Sequence, residues 1–582
     1  MEIKLASEVL SSYGYELPTL NALIPNEENY KVFLMQPHGE IQADKSGVKN
    51  KNRTRAFLQF GIFLEEATKN FSDLVMTPEY ATPWETLQEA IQKGHKPKNG
   101  KLWALGCESI RLQDLEKLKE EMVSVAKVIY EDIDSEDLQK NKFVSPLAYV
   151  FLAKEKYNTA KEQLIVLIQF KTHPMVDEDH FENDGMYKGK FVYNFEKEKK
   201  LKLITLICAD ALVFKDDHAE KMNDRALILH IQLNKNPRHS SFCDCRKKLL
   251  GFMNDEIEII CLNWAQKINL FYNKDNIEWK NIGGSAWYTK SKELDIEDEI
   301  QIKNHNNGLY YTRLEKLLTH ALFFNYQQAT YLLEASKVAH INVKAPSVKR
   351  RGPKLDKIFM WDELNNQWIE KECIDDNFLE IYREYDDDKI DLKKIKDNNP
   401  FHLERILDLS SGDVENDQEW YKVSKLTCCR INPDEVIKRV TFAQDPDGEN
   451  FRSSRLKRIN FLYNILTNKN LISSSLADLS DGFTFCWDQK YPHQNIKSFD
   501  GIPATVIYMG EESCSEKLTN AKNRIKKLIN PNSIGSDVEI KEIERLCVYY
   551  RRQNGEIAIH GPYSEVNIAK VHMSTTDIGR DE

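Results

Sequence analysis

The stretch Leu201-Lys-Leu-Ile-Thr-Leu-Ile-Cys208-Ala-Asp-Ala-Leu212 decides how the chain is read. Leu203 to Ile207 is a run of apolar and β-branched residues bounded upstream by the lysine-rich Lys197 to Lys202, the signature of a buried strand. Cys208 follows where that strand must end, a place where a nucleophile is held by a rigid element. A lone cysteine after a strand is ordinarily a small core residue. Two upstream stretches of the same design change that reading. In Asp73-Leu-Val-Met-Thr-Pro-Glu79-Tyr80 a short apolar strand ends in a carboxylate, and in Leu164-Ile-Val-Leu-Ile-Gln-Phe-Lys171-Thr-His173-Pro174 another ends in an ammonium.

Three strand ends thus offer a carboxylate, an ammonium and a thiol in chain order. In this the sequence resembles the nitrilase, or carbon–nitrogen hydrolase, superfamily. The matching pieces are Pro78-Glu79-Tyr80, Phe170-Lys171-Thr-His173 and Ile207-Cys208-Ala209-Asp210, with Ile259 to Trp264 and Gly283-Gly-Ser285-Ala286 as later strands in the expected order. The resemblance covers residues 1–345 and implies a four-layer α-β-β-α sandwich. It also implies a catalytic Glu79, Lys171 and Cys208, and a second glutamate after the lysine. Glu178 fits that last place best, with Asp179 and Glu182 as alternatives. Tyr80, His173 and the backbone N–H of Ala209, an oxyanion donor, are the expected substrate contacts. Asp210 reads as an anchor of the turn and Cys107 as core.

Those residue types suit hydrolysis through a covalent intermediate. A thiolate is a strong nucleophile, but a free thiol titrates near ~8.5, so a base must take its proton. Glu79 can accept it and return it to the departing amine. Lys171 places positive charge where an oxyanion develops.

With 582 residues the chain exceeds one ordinary core. The expected division is a hydrolase domain over 1–345, a basic linker over 346–357 containing Lys349-Arg-Arg-Gly-Pro-Lys354, and an α+β domain over 358–582. Inside the first domain, Ala56 to Lys69 reads as a helix, Gln42 to Arg53 as a polar loop and Arg313 to Ala339 as one long amphipathic helix. In the last, Asp386 to Asn399 reads as a polar loop and Arg455 to Leu466 as a basic helix. Arg545 to Tyr550 and Glu556 to His560 read as a hairpin around Asn554-Gly555.

The formal net charge of -10 argues against wholesale wrapping by nucleic acid. No stretch approaches the ~20 apolar residues of a membrane span. Eleven irregularly spaced cysteines and no signal-peptide core point to a reducing cytoplasm. Phe242-Cys243-Asp-Cys245 and Cys428-Cys429 lack the paired spacing of a zinc site, so no metal is expected, and no cofactor. No phosphate loop is present in the sequence. The expected substrate is a small amide or carbamoyl compound rather than a nitrile, and a homo-oligomer is what the resemblance implies. The alternative is a nitrilase-like scaffold or sensor in a bacterial antiviral-defence assembly, with the C-terminal domain binding a protein or nucleic-acid partner.

Overall fold

A computed structural model describes the chain apart from residues 25–28, 45, 141, 177–181, 198–200, 223–224, 239, 252–255, 267, 273–274, 280–282, 292–293, 297, 315–316, 337–349, 375–377, 379–381, 383–389, 416, 427–428, 432–434, 512–513, 531–536 and 561–582. It divides into two units, Met1–Ile374 with Arg430–Glu435, and Asp375–Cys429 with Val436–Glu582.

Two large sheets build the first unit. The nine-stranded sheet has the spatial order Gln367–Lys371, Lys354–Asp362, Ala329–Ala335, Tyr30–Gln36, Leu74–Thr82, Leu102–Cys107, Pro146–Glu155, Asn158–Phe170 and Lys127–Ile129. The eight-stranded sheet runs Glu2–Leu5, Phe191–Glu196, Lys202–Ile207, Ala226–Ile231, Ile257–Leu262, Ala286–Lys290, Thr319–Phe324 and Leu309–Leu314. At the centre of each, strands run parallel: Lys202–Ile207, Ala226–Ile231 and Ile257–Leu262 in one, Tyr30–Gln36, Leu74–Thr82 and Leu102–Cys107 in the other. Central strands of this kind are covered on both faces and need continuous apolar sequence, which Leu203-Ile-Thr-Leu-Ile207 and Leu227-Ile-Leu229 supply.

The inner faces of the sheets meet through rings. Tyr149 lies 4.7 Å from Phe195, and Phe324 lies 4.9 Å from Tyr331. Tyr30 donates across the gap to Glu258 at 2.9 Å. The helix Arg53–Lys69 packs on the outer face of the nine-stranded sheet, where Phe33 and Phe63 stack at 4.8 Å. The helix Ser240–Gly251 covers the other sheet, with Phe242 5.9 Å from the ring of His230. The unit is therefore a four-layer α-β-β-α sandwich, as the strand-end pattern implied.

Three expectations are corrected. Arg313 to Ala339 is not a helix; its described residues form the strands Leu309–Leu314, Thr319–Phe324 and Ala329–Ala335. Residues buried on both faces show no strand period, so a run of buried strands mimics a wide helical face. Gln42 to Arg53 is not a loop but contributes to the hairpin strands Gly39–Asp44 and Gly47–Asn50. The third concerns the boundary. Arg350–Arg351 pairs with Leu294–Asp295, and Lys354–Asp362 and Gln367–Lys371 extend the nine-stranded sheet. The first unit thus runs to Ile374 rather than 345, Gly352 and Pro353 join two strands within the expected linker, and 346–349 lie outside the described residues.

The second unit is α+β. Its five-stranded sheet has the order Phe483–Phe485, Ile496–Ser498, Pro503–Glu511, Leu546–Arg551 and Ile557–Ile559. The helices Pro400–Ser411 and Glu449–Thr467 pack on it, with Phe461 stacked on Tyr508 at 4.5 Å. Asn399 caps the first of these by accepting from the Phe401 N–H, Pro400 occupies its first turn, and Gly412 ends it in the left-handed conformation at φ 74°. The hairpin around Asn554-Gly555 is present. The polar loop expected over Asp386 to Asn399 instead holds the helix Leu392–Asn398, capped by Asp391. No described helix is long and apolar enough to cross a membrane.

Candidate active site

Glu79 sits on a bulge. Between Thr77, opposite Leu105, and Thr82, opposite Cys107, the strand Leu74–Thr82 carries more residues than its neighbour, and the pairing shifts register. Thr77 and Thr82 close the base of the bulge through their hydroxyls at 2.8 Å. Tyr80 takes the left-handed conformation, φ 58°, which is strained for a residue with a Cβ. The bulge is tied down from outside: Trp264 Nε1 donates to the Glu79 carbonyl at 2.9 Å and Asn50 Nδ2 to the Ala81 carbonyl at 2.8 Å. Gly106 faces it from the neighbouring strand, where any Cβ would collide with the Pro78 carbonyl.

Lys171 follows the strand Asn158–Phe170, with its N–H on the Ser145 carbonyl and its own carbonyl accepting from Gly189. Cys208 follows Lys202–Ile207 at the head of the short turn Cys208–Val213, also left-handed at φ 43°. One side chain joins these two ends. Asp210 Oδ1 accepts from the N–H and hydroxyl of Thr172 and the N–H of His173, while Oδ2 accepts from the Ile207 N–H. The anchoring role expected of Asp210 is what the structure gives.

The three side chains converge. Lys171 Nζ lies 2.9 Å from Glu79 Oε1, and the adjacent residues Leu233 and Asn234 tie Glu79 and the Cys208 sulfur to one short loop. Each of the three is 1 % exposed, so they face one another without intervening bulk solvent. Glu79 is further fixed by the Ser145 hydroxyl at 3.1 Å and the Leu233 N–H at 3.1 Å. Asn234 Nδ2 points at Cys208 Sγ from 3.9 Å, held by Asn236 N–H donating to its Oδ1 at 2.7 Å. None of Ser145, Leu233 or Asn234 was named from the sequence. A polar Asn at the end of the Ala226–Ile231 strand was the one usable signal.

Glu178 and Asp179 lie outside the described residues. The acid that reaches Lys171 is Glu182, the remaining alternative, with both carboxylate oxygens 2.8 Å from Nζ. Glu182 also accepts from Tyr80 OH at 2.6 Å and from the Met175 N–H. Tyr80, expected against substrate, therefore directs its hydroxyl at Glu182. His173 is half-buried, with its backbone on Asp210. Ala209 is the residue after Cys208 in the turn.

Electrostatics follow from two carboxylates and one ammonium sharing a dry site. Burial alone would lower Lys171, but the combined charges of Glu182 and Glu79 outweigh it and hold the ammonium well above its ordinary range. Burial pushes the Cys208 thiol well up and Glu79 adds to this, while Lys171 opposes. At rest the sulfur keeps its proton. A nucleophile in this state needs a base beside it, and Glu79 is the carboxylate whose charge acts on it most strongly. Among the described residues no cluster of His, Cys, Asp and Glu suited to a metal ion is found.

No family model matches the sequence, and no curated protein is significantly similar to it. Among solved structures, a glutamine-dependent NAD+ synthetase from Acinetobacter baumannii is similar at 12 % identity and TM-score 0.30, over 55 % of this chain and 49 % of that one. This chain thus spans about half of the synthetase's length. An amidase from Nesterenkonia sp. is similar at 12 % identity and TM-score 0.27, over 46 % of this chain and 84 % of that one. XC1258 from Xanthomonas campestris, described as a CN-hydrolase superfamily protein, is similar at 14 % identity and TM-score 0.25, over 43 % and 83 %. At such TM-scores the likeness carries no weight of its own beside the strand order and side-chain geometry above. Solved structures similar to this chain thus include a CN-hydrolase superfamily protein and a Nesterenkonia amidase described as from the nitrilase superfamily, and in each case the similarity covers part of the chain.

Proposed function

We propose that the chain hydrolyses a non-peptide carbon–nitrogen bond, of a small amide or carbamoyl compound, through a thioester on Cys208. The observation that carries this reading is the convergence of Glu79, Lys171 and Cys208, with Glu79 2.9 Å from the Lys171 ammonium and Leu233 and Asn234 reaching Glu79 and the sulfur side by side, in a site closed to bulk water. Charge developing there meets fixed partners rather than reorienting solvent.

Glu79 accepts the thiol proton as Sγ bonds to the carbonyl carbon, and the carbonyl π-pair becomes an oxyanion. The Lys171 ammonium and the Ala209 N–H are its stabilising partners. Collapse of that intermediate breaks the C–N bond, and Glu79 delivers the proton to the departing nitrogen. Water then attacks the thioester with Glu79 as base, a second oxyanion forms, and Sγ leaves as thiolate and recovers its proton. One amide and one water give one acid and one amine. Glu182 keeps Lys171 charged and oriented throughout, and Tyr80 holds Glu182.

The test is an ammonia-release screen of the full-length protein against a panel of small amides, carbamoyl compounds and nitriles, with Cys208→Ala as the blank. Turnover of an amide or carbamoyl compound that vanishes in the variant is the expected result. Equal release by both proteins, or turnover of nitriles alone, contradicts the proposal. Absence of turnover across the panel, together with equal thiol labelling of Cys208 and the exposed Cys514, favours the scaffold alternative.

A further inference from the structure

Beneath the nucleophile turn lies a second buried ionic group that the proposed reaction does not use. Arg246, on the helix Ser240–Gly251, is 3 % exposed and Glu435 is fully buried. Arg246 Nε meets Glu435 Oε1 at 2.7 Å, and the two are 189 residues apart in sequence. Tyr288 OH donates to Glu435 Oε2 at 2.7 Å, and the guanidinium lies over the Tyr288 ring at 5.6 Å. Glu435 belongs to the short segment Arg430–Glu435 that joins the first unit, although Cys429 and Val436 on either side belong to the second.

From this pair two connections lead to the reacting atoms. The first is the loop Gln232 to Arg238. Its far end is held from below, since Arg246 Nη2 donates to the Pro237 carbonyl at 3.3 Å. The Cys243 thiol and the Glu435 N–H both donate to the Arg238 carbonyl, at 3.1 and 3.3 Å. Its near end carries the Leu233 N–H on Glu79 and the Asn234 amide on Cys208 Sγ. The second runs through His230. A carbonyl can only accept, so His230 Nε2 carries the proton and donates to the Cys208 carbonyl at 3.0 Å. The Gln232 amide, whose two ends are interchangeable by a half turn, lies 3.2 Å from the same nitrogen. His230 Nδ1 then faces Cys261 Sγ at 3.9 Å, a thiol on which the Arg246 charge acts.

We infer that Glu435 is a positioning residue for this site: as the buried counter-ion of Arg246 it holds the Gln232–Arg238 loop and the left-handed Cys208 turn in register with Glu79. The inference rests on the hydrolase reading for its purpose, but its geometry is measurable without turnover. The consequence is that the catalytic sandwich is completed by a segment from far beyond its own last strand.

Hydrogen exchange on the full-length chain, read peptide by peptide, tests it with Glu435→Ala, Glu435→Gln and the double variant Arg246→Met/Glu435→Met. Glu435→Ala should speed exchange on the order of tenfold or more within 203–213 and 226–238, since these segments lose the contacts that close them. Glu435→Gln, which can still accept from Tyr288, should fall between it and the parent. The double variant removes both charges, so thermal stability should recover. Exchange in the two segments should nevertheless stay fast, because the donors to Pro237 and Arg238 are gone or displaced. Unchanged exchange in Glu435→Ala overturns the inference. So does a double variant whose exchange returns to the parent rate, since that would make the pair mere charge compensation. Should Glu435→Ala not fold, Glu435→Gln and the double variant decide alone. A protein without amidase activity but with the predicted exchange pattern would refute the hydrolase reading and leave the positioning role standing.

Discussion

Both units bury ionic clusters, and only one of them looks like a place for chemistry. In the second unit Arg455 bridges Glu404 and Asp408 at 2.6 Å each, and Glu404 also accepts from the N–H and hydroxyl of Thr441. Glu404 and Asp408 lie four apart on one regular helix, so they share a face, and Arg455 reaches them from the neighbouring helix. It is a clasp between two helices. In the first unit Glu79, Lys171 and Glu182 are at least as buried, but they sit on a bulge, a strand end and the start of a one-turn helix and gather around a thiol. Among the described residues every non-glycine with positive φ lies in the first unit, and two of them are Tyr80 and Cys208. Buried charge alone does not mark a site; buried charge around a nucleophile on strained backbone does.

The largest effect that bears on this contrast is Cys208→Ala. Activity on any amide found by the screen should fall by at least ~10³-fold, while the melting temperature moves little, because only one sulfur is lost from a packed turn. Comparable activity in the variant would place Cys208 with the core cysteines. Lys171→Met should cost both function and fold. It leaves Glu79 and Glu182 facing each other without their cation, with a stability loss of about 3–5 kcal/mol in urea unfolding and activity down by a similar order to Cys208→Ala. Arg455→Met should give a like destabilisation, about 3–5 kcal/mol, for the same reason. It should nevertheless leave the rate of Cys208 alkylation unaltered, and a strong effect on that rate would erase the distinction drawn here.

Gly106→Ala is a subtler probe. The added methyl meets the Pro78 carbonyl and must push the Glu79 bulge, so activity should drop by on the order of 10²-fold and stability should fall by about 1–3 kcal/mol, the cost of overpacking a core. The smallest effect is that of acid. Burial lowers His230 to about 3, His320 to about 4 and His493 to about 4, so each stays neutral in the folded chain where the unfolded chain would protonate it. Between about pH 4 and 6.5 the unfolded state then binds more protons, so stability falls as pH falls, by up to ~1.4 kcal/mol per pH unit for each histidine. Two of the three lie in the first unit, so its urea midpoint should drop more steeply between pH 7 and pH 5 than that of the second, followed by exchange in each.

The convergence of Glu79, Lys171 and Cys208 was legible because each closes a short, mostly apolar run, a pattern that survives without knowledge of the fold. The bulge was not, since Met76-Thr-Pro-Glu79-Tyr80 reads the same in a regular strand and in one that balloons around Thr77 to Thr82. Three acids in one polar loop, Glu178, Asp179 and Glu182, have no periodicity to rank them; Glu178 and Asp179 lie outside the described residues, and Glu182 reaches Lys171 and Tyr80. Arg313 to Ala339 reads as a helix because residues buried on two faces erase the strand period of two. Arg455 read as one charge on a basic solvated face, whereas it and Arg452 are turned inward onto buried acceptors. Glu435 offered no signal, because an ion pair spanning 189 residues leaves no local pattern.

The central claim is a covalent one, and the direct measurement is peptide mass spectrometry after rapid acid quench of the full-length protein with a turned-over amide. The account predicts an acyl adduct on the peptide carrying Cys208, present in the parent and absent in Cys208→Ala. Its loss on incubation should match the turnover rate. Hydrolysis that proceeds with no adduct on Cys208, or with the adduct on another cysteine, would contradict it.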